Sequence, residues 1–305
     1  MSAEERTLSQ SICDDSRNAL IRYRSRYGQV SYNFYRPEEW FPNGTFLHRF
    51  RTFQPTDDAD DSCMAFRGFS HSKDRASELK AMMLDRANGK GGKYLKRGPE
   101  AYRSSRIYNT WIGSKSLFVD MDLSVICNIL MFNAIYDLGK TEVDEASLTF
   151  LIKAFRKGEH LSASWSISAW YPFTSVILYG MADLLSTGYY PELEVIRSSV
   201  LKDLQQVNEK EKPIARLLRS SSLMKLGQRP IADSDIGSIS GFLDFNKDFS
   251  FGVIPILHPF NGRLAQWMGS FPMFRLLYRC DAQMLAILIE HELLARSVKA
   301  QVEGK

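Results

Sequence analysis

The chain has 305 residues, of which 44% are apolar and 24% are charged, and its formal net charge is +4. A chain of this length and composition buries a sizeable core, which excludes wholesale disorder. Spread evenly, so small a basic excess would not identify any class of partner.

The N-terminal part of the chain has mixed patterning. Residues 8–27 have the apolar periodicity of a helix, and residues 30–35 alternate as in a short strand. Residues 46–53 fit either type. The first residues, MSAEERTLSQSICDD, are polar and acidic, which predicts that no signal peptide is present.

Residues 56–62 carry four closely spaced aspartates, Asp57, Asp58, Asp60 and Asp61. Such a cluster can bind a divalent cation, but the glycine and glutamate of a calcium-binding loop are missing. The pattern therefore predicts a solvated acidic loop. Residues 63–69 are then expected to form a strand, and residues 72–87 a helix that Asn88 and Gly89 end.

The positive charge is concentrated in one stretch, residues 86–106, which we call the basic segment. It contains seven cations and one acid, Glu100, so the rest of the chain has a net charge of −2. The segment also contains Tyr94, Tyr102 and four glycines. Cations can neutralise phosphates and aromatic rings can stack on bases, which is the combination that single-stranded nucleic acid requires.

The remainder of the chain is predominantly helical in pattern. Apolar helices are predicted over residues 117–138, 141–158 and 165–185, with Thr141 and Asp144 as a capping pair. Pro172 interrupts the third of these, while Pro191 and Pro213 each open a further helix. Residues 228–262 predict a long irregular connection, and residues 274–299 a final helix. Gly139, Gly158 and Gly227 stand at predicted helix ends.

These elements predict a mainly α, bundle-like fold, and they leave open a two-lobe arrangement with a small mixed α/β region at the N-terminus. The predicted division is residues 1–88 as the mixed lobe, 89–115 as a basic, glycine-rich connection and 116–305 as the helical domain. No stretch has the eighteen uninterrupted apolar residues that are typical of a membrane span.

Motifs for catalysis or metal binding are not completed in this sequence. His291-Glu292 begins like a zinc-protease helix, but Ala295 stands where the second histidine is needed. His291 is therefore expected on an exposed helix face, and His258 in a loop. No catalytic residue, metal ligand or cofactor is predicted. An active site assembled from distant residues stays open as an alternative.

Four cysteines lie far apart, with no pairing or metal-ligand spacing. This predicts no disulfide framework and a reducing, cytoplasmic location. Cys127 and Cys280 are expected to be buried in apolar helices, whereas Cys13 and Cys63 have polar neighbours and are expected to be exposed.

A second basic patch lies at the end of the first predicted helix, where Tyr23 and Tyr27 alternate with arginines. Together the two patches predict a surface for single-stranded nucleic acid. Its predicted residues are Arg22, Arg24, Arg26, Arg86, Lys90, Lys93, Tyr94, Lys96, Arg97, Tyr102, Arg103 and Arg106. A pair of solvated charged faces is the alternative interpretation.

The sequence thus favours a non-enzymatic protein that coats or packages single-stranded RNA, in the manner of a nucleocapsid protein. Its expected partners are RNA or another nucleic acid and further copies of itself, with no membrane. A helical protein-interaction or regulatory protein without nucleic-acid binding is the second hypothesis, and an enzyme is the third.

Overall fold

The computed structural model describes residues 2–25, 28–33, 36, 56–96, 98–113, 119–206, 211–231, 239–255, 275–278 and 280–303. The protein is mainly helical, as predicted. The described α-helices are α1 (Ala3–Leu20), α2 (Ala59–Gly68), α3 (Lys73–Asp85), α4 (Glu100–Arg103), α5 (Leu123–Ile135), α6 (Glu142–Arg156), α7 (Glu159–Ser162), α8 (Ser164–Ile167), α9 (Thr174–Ser186), α10 (Glu194–Gln205), α11 (Pro213–Lys225), α12 (Ile239–Phe245) and α13 (Asp281–Glu303).

Several helices begin where local capping signals place them. The Ser72 side chain accepts a hydrogen bond from the Arg75 N–H at the start of α3. Thr141 and Asp144 form a reciprocal capping box at the start of α6. Pro213 is the first residue of α11, where its missing N–H costs no helical hydrogen bond. These predictions are confirmed.

The predicted helix over residues 165–185 is interrupted, as Pro172 indicated. It consists of the single turn α8 and then α9, which begins afresh at Thr174. The predicted final helix begins later than expected, at Asp281, because residues 275–278 form a strand.

The hydrophobic core is formed mainly by α2, α3, α5, α6, α9 and α10. Buried residues from before and after the basic segment, such as Phe66, Leu79 and Phe132, belong to one continuous cluster. A second cluster lies between α11, α12 and α13 and includes Leu218, Phe242 and Met284. The division of the chain into lobes stays a prediction. Residues 59–87 share one hydrophobic core with the helical region.

The predicted acidic loop and strand over residues 56–69 are wrong. Residues Ala59–Gly68 form α2, and Asp58 caps it by accepting a hydrogen bond from the Asp61 N–H at 2.8 Å. Asp57, Asp58 and Asp60 are buried. Asp57 accepts from the Ser31 hydroxyl and Asp60 from the side chains of Asn128 and Tyr171, and these distant donors are not visible in the local sequence.

Strand structure is sparse in the described residues. Instead of a strand over residues 30–35, Tyr32 makes single antiparallel bridges with Arg24 and Asp58; residues 34–35 and 46–53 lie outside the described residues. Within the predicted irregular connection, Gly252–Pro255 (β1) pairs with Arg275–Tyr278 (β2), and Val253 lies opposite Leu277. None of the described helices combines the length and apolarity needed to cross a bilayer.

Candidate nucleic-acid interface

Asn88 fixes the start of the basic segment. Its side chain is 1% exposed, and its Nδ2 donates to the carbonyls of Arg103 and Ser105 at 2.9 and 2.6 Å. Its Oδ1 accepts from the Leu95 N–H at 2.8 Å. One buried amide is therefore hydrogen-bonded to three residues of the basic segment. These bonds hold the segment as a fixed loop.

The loop after Asn88 depends on glycine. Gly89 has a φ of +86°, and its N–H donates to the Lys93 carbonyl at 2.8 Å. The Tyr94 ring lies against it, since a Cβ at Gly89 would be 3.4 Å from Tyr94 Cε1. Gly98, with a φ of +77°, leaves even less room, because a Cβ there would be 2.7 Å from Met121 Cε. Side chains at these positions would strain the backbone.

Tyr102 anchors the segment and does not stack on a ligand. Its ring is 1% exposed and packs edge-on against Phe150, with centroids 4.8 Å apart. Its hydroxyl donates to Glu159, and burial together with this carboxylate raises the pKa of Tyr102. The prediction that Tyr102 offers a stacking face is corrected, because neither ring face is open to solvent.

The lysines of the segment and Tyr94 are on the surface. Lys90, Lys93 and Lys96 are exposed, and Tyr94 is 57% exposed. In the described part of the chain, neither Lys90 nor Lys96 has an ion-pair or hydrogen-bond partner for its ammonium group. Lys90 and Lys96 can therefore meet a ligand without first breaking an ion pair or a hydrogen bond.

The arginines of the segment are engaged with neighbouring groups. Arg103 donates to the Gly98 carbonyl from Nε and Nη2, both at 3.3 Å. Arg106 pairs with Glu142 at 3.2 Å, with both side chains well exposed. Arg86 is half-buried and lies 3.9 Å from the Asp85 carboxylate. Arg97 lies outside the described residues.

The second basic patch is exposed only in part. Arg22 and Arg24 are exposed, but Tyr23 is half-buried against the core; Arg26 and Tyr27 lie outside the described residues. Tyr32 makes antiparallel bridges with both Arg24 and Asp58, and Asp58 in turn bridges to Trp111, five positions beyond the basic segment.

One cation beside the segment was missed by the sequence analysis. Lys153 on α6 is exposed, and its Nζ lies 5.3 Å from the centroid of the Tyr102 ring. Lys153 is 51 positions beyond Tyr102 in the sequence, so no local pattern joins them. Lys153 lies on the polar face of the amphipathic helix α6, and this pattern indicated only that its side chain is exposed.

A buried group of acids forms the other polar centre. Asp122 accepts from the N–H groups of Ser124 and Trp170 at 2.9 and 2.8 Å, and burial raises the pKa of Asp122 to about 6. Asp60 accepts from Asn128 at 2.6 Å and from the Tyr171 hydroxyl. Burial raises the pKa of Asp60 as well.

These hydrogen bonds orient the loops around α2 and α5. Among the described residues, no set of three or more histidine, cysteine or acidic side chains is arranged to hold a metal ion. The acids are explained by the contacts that they make within the fold.

Two further predictions are corrected. His291 is 6% exposed rather than on an exposed face, and its Nε2 lies 3.0 Å from the Ser220 hydroxyl on α11. Cys63 is fully buried, whereas Cys13 is exposed as predicted. His258 lies outside the described residues.

Comparison with known proteins does not assign the chain to a group. No family model matches it, and neither a curated protein nor a solved structure is similar to it.

Proposed function

We propose that the protein is a non-enzymatic, cytoplasmic nucleic-acid-binding protein that coats or packages single-stranded RNA. One observation carries the proposal: Lys90, Lys93, Lys96 and the half-exposed Tyr94 lie together on a loop that is fixed at both ends. Cations held in place lose little freedom when they meet phosphates, so a fixed basic loop binds better than a mobile one.

The chemistry fits a single strand better than a duplex. Lysine ammonium groups bind phosphates as point charges and release the counterions condensed on them. Tyr94 offers an aromatic face on which a base can stack without regard to its identity. A surface of this kind favours binding that depends on salt and little on sequence.

The test is a salt titration of binding to a fluorescent oligouridylate. Changing Lys90, Lys93 and Lys96 to glutamine should lower the affinity, and each lost phosphate contact should flatten the log–log salt slope by roughly 0.7. The matched control changes three other exposed lysines, Lys202, Lys247 and Lys299, to glutamine. An equal loss in both triple variants would reduce the effect to net charge and refute a localised site.

Self-association is the second part of the proposal. Helix α1 buries none of its side chains, and Leu8 and Ile12, one turn apart, are 62% and 52% exposed. Helices in proteins gain most of their stability from packing of an apolar face, and this favours docking of α1 on another copy. Light scattering should show a smaller particle for Leu8→Ser/Ile12→Ser; an unchanged monomer in both proteins would refute self-association.

The same exposed stripe on α1 also favours the second hypothesis, a protein-interaction module. That hypothesis predicts no binding of the oligouridylate at any salt concentration, while a protein partner still binds α1. The salt titration therefore separates the two functions.

A further inference from the structure

A small cavity opens beside the basic segment, between the end of α3 and the start of α6. Its volume is about 230 Å³. It is lined by Leu84, Ala87, Asn88, Lys90, Arg106, Thr141, Glu142 and Val143. The cavity therefore has two cations of the basic segment in its wall.

The inner wall of the cavity consists of apolar side chains and of polar groups that already have hydrogen-bond partners. Leu84, Ala87 and Val143 contribute hydrocarbon surface. The Asn88 amide is occupied by backbone groups, and the Thr141 hydroxyl donates to Asp144 at 2.6 Å. A ligand that enters need not satisfy either group, which suits a flat ring better than a sugar.

The charged groups of the cavity wall are exposed to solvent. Lys90 is exposed and Arg106 is 61% exposed in its side chain. Glu142 pairs with Arg106 and is itself exposed, so the ion pair contributes little and can be exchanged for a phosphate. The Tyr94 ring lies against Gly89, directly beside two residues of the cavity wall.

We propose that this cavity receives one base of the bound single strand while Lys90 and Arg106 contact the flanking phosphates. Its volume of about 230 Å³ lies below the roughly 300–1,000 Å³ of drug-sized sites, which limits the occupant to a single ring system. The inference rests on the proposed function and adds that a base enters the protein as well as stacking on Tyr94.

The first experiment compares an oligouridylate with an abasic strand of the same length, by fluorescence anisotropy. The intact strand should bind about 10-fold more tightly. Leu84→Trp, which fills the cavity from the half-buried end of α3, should remove the part of this difference that does not come from stacking on Tyr94 and should leave the salt slope unchanged. Ile135→Trp, at a 53% exposed position on α5, is the matched control and should change neither quantity.

A second variant keeps the proposal testable if Leu84→Trp does not fold. Glu142→Gln releases Arg106, so the affinity should rise and the salt slope should steepen by about 0.7. Glu145→Gln removes another exposed first-turn acid of α6 and should have less effect.

The outcomes separate the cavity from the function. If Leu84→Trp folds and the intact strand keeps its full advantage over the abasic strand, the cavity does not hold a base. In that case binding that still depends on Lys90, Lys93 and Lys96 leaves the proposed function standing. If the wild-type protein binds neither the intact strand nor the abasic strand, both the cavity site and the proposed function are refuted.

Discussion

Replacing Asn88 tests whether one buried amide holds the basic segment in place. Asn88→Ala removes three side-chain hydrogen bonds, to the carbonyls of Arg103 and Ser105 and from the Leu95 N–H. Each such bond contributes about 1 kcal/mol net, and a buried group left without a partner costs about 1–3 kcal/mol. We therefore expect the free energy of unfolding to fall by about 3 kcal/mol.

The assay has a global and a local part. Urea denaturation measures the loss of unfolding free energy, and amide hydrogen exchange at Leu95 reports the loop itself. The Leu95 amide should exchange faster in Asn88→Ala, since its acceptor is gone. Asn88→Asp should destabilise more, because it places a carboxylate beside two carbonyl oxygens. Asn18→Ala, at an exposed position on α1, is the control.

Binding gives a third readout of the same change. All three lysines remain in Asn88→Ala, so the salt slope should hold while the affinity falls, because the loop must be ordered on binding. A loss below about 1 kcal/mol, with unchanged exchange at Leu95, would refute the assignment of Asn88 as the anchor.

Three further predictions concern buried polar groups. Lys80→Met should cost about 3–5 kcal/mol, because the buried Asp144 carboxylate loses its partner at 2.9 Å. By urea denaturation, Cys63→Ser should cost about 1–3 kcal/mol, since Cys63 is fully buried, whereas Cys13→Ser at an exposed site should cost almost nothing. Burial, followed by the charge of Asp60, raises the pKa of Asp61 to about 7. The folded protein thus binds more protons than the unfolded chain between about pH 4 and pH 7, so stability falls as pH rises through this range. Asp61→Asn should remove the part of this fall that Asp61 contributes, so its gain in stability over wild type should grow by ~2–3 kcal/mol from pH 5 to pH 7.

Each of these predictions has an outcome that contradicts it. For the ion pair, Lys73→Met is the control, since Lys73 and Asp137 are paired but exposed and should contribute little to stability. Equal losses of unfolding free energy in Lys80→Met and Lys73→Met would show that burial of the pair is unimportant. Equal costs at Cys63 and Cys13 would contradict the burial of Cys63. A constant difference between Asp61→Asn and wild type from pH 5 to pH 7 would contradict the raised pKa.

Helices were predictable where their signals are local. The capping box of Thr141 and Asp144 and the first-turn Pro213 act within one helical turn, so the sequence alone contains both partners. Residues 56–69 were not predictable in this way. Asp60 is stabilised by Tyr171, 111 positions away, and without that donor four aspartates indicate an exposed loop.

The candidate site was predictable in its charge but not in its geometry. Lysines remain exposed because burying an unpaired ammonium group is costly. The clustering of cations in the basic segment was therefore enough to predict an exposed basic surface there. The role of Tyr102 depends on Phe150 and Glu159, which only the fold brings near.

The placement of acids and cations makes the surface around the basic segment more positive than the net charge of +4 indicates. Asp57, Asp58, Asp60, Asp120 and Asp122 are buried, and burial raises the pKa of Asp58 and Asp122. Interactions between exposed charges farther apart than about 8–10 Å are largely screened at physiological ionic strength. Among the surface charges, an approaching polyanion therefore responds mainly to the exposed neighbours of the lysines. An exposed acid such as Glu142, which pairs with Arg106, thus weakens the attraction of this surface for a polyanion more than a distant exposed acid does.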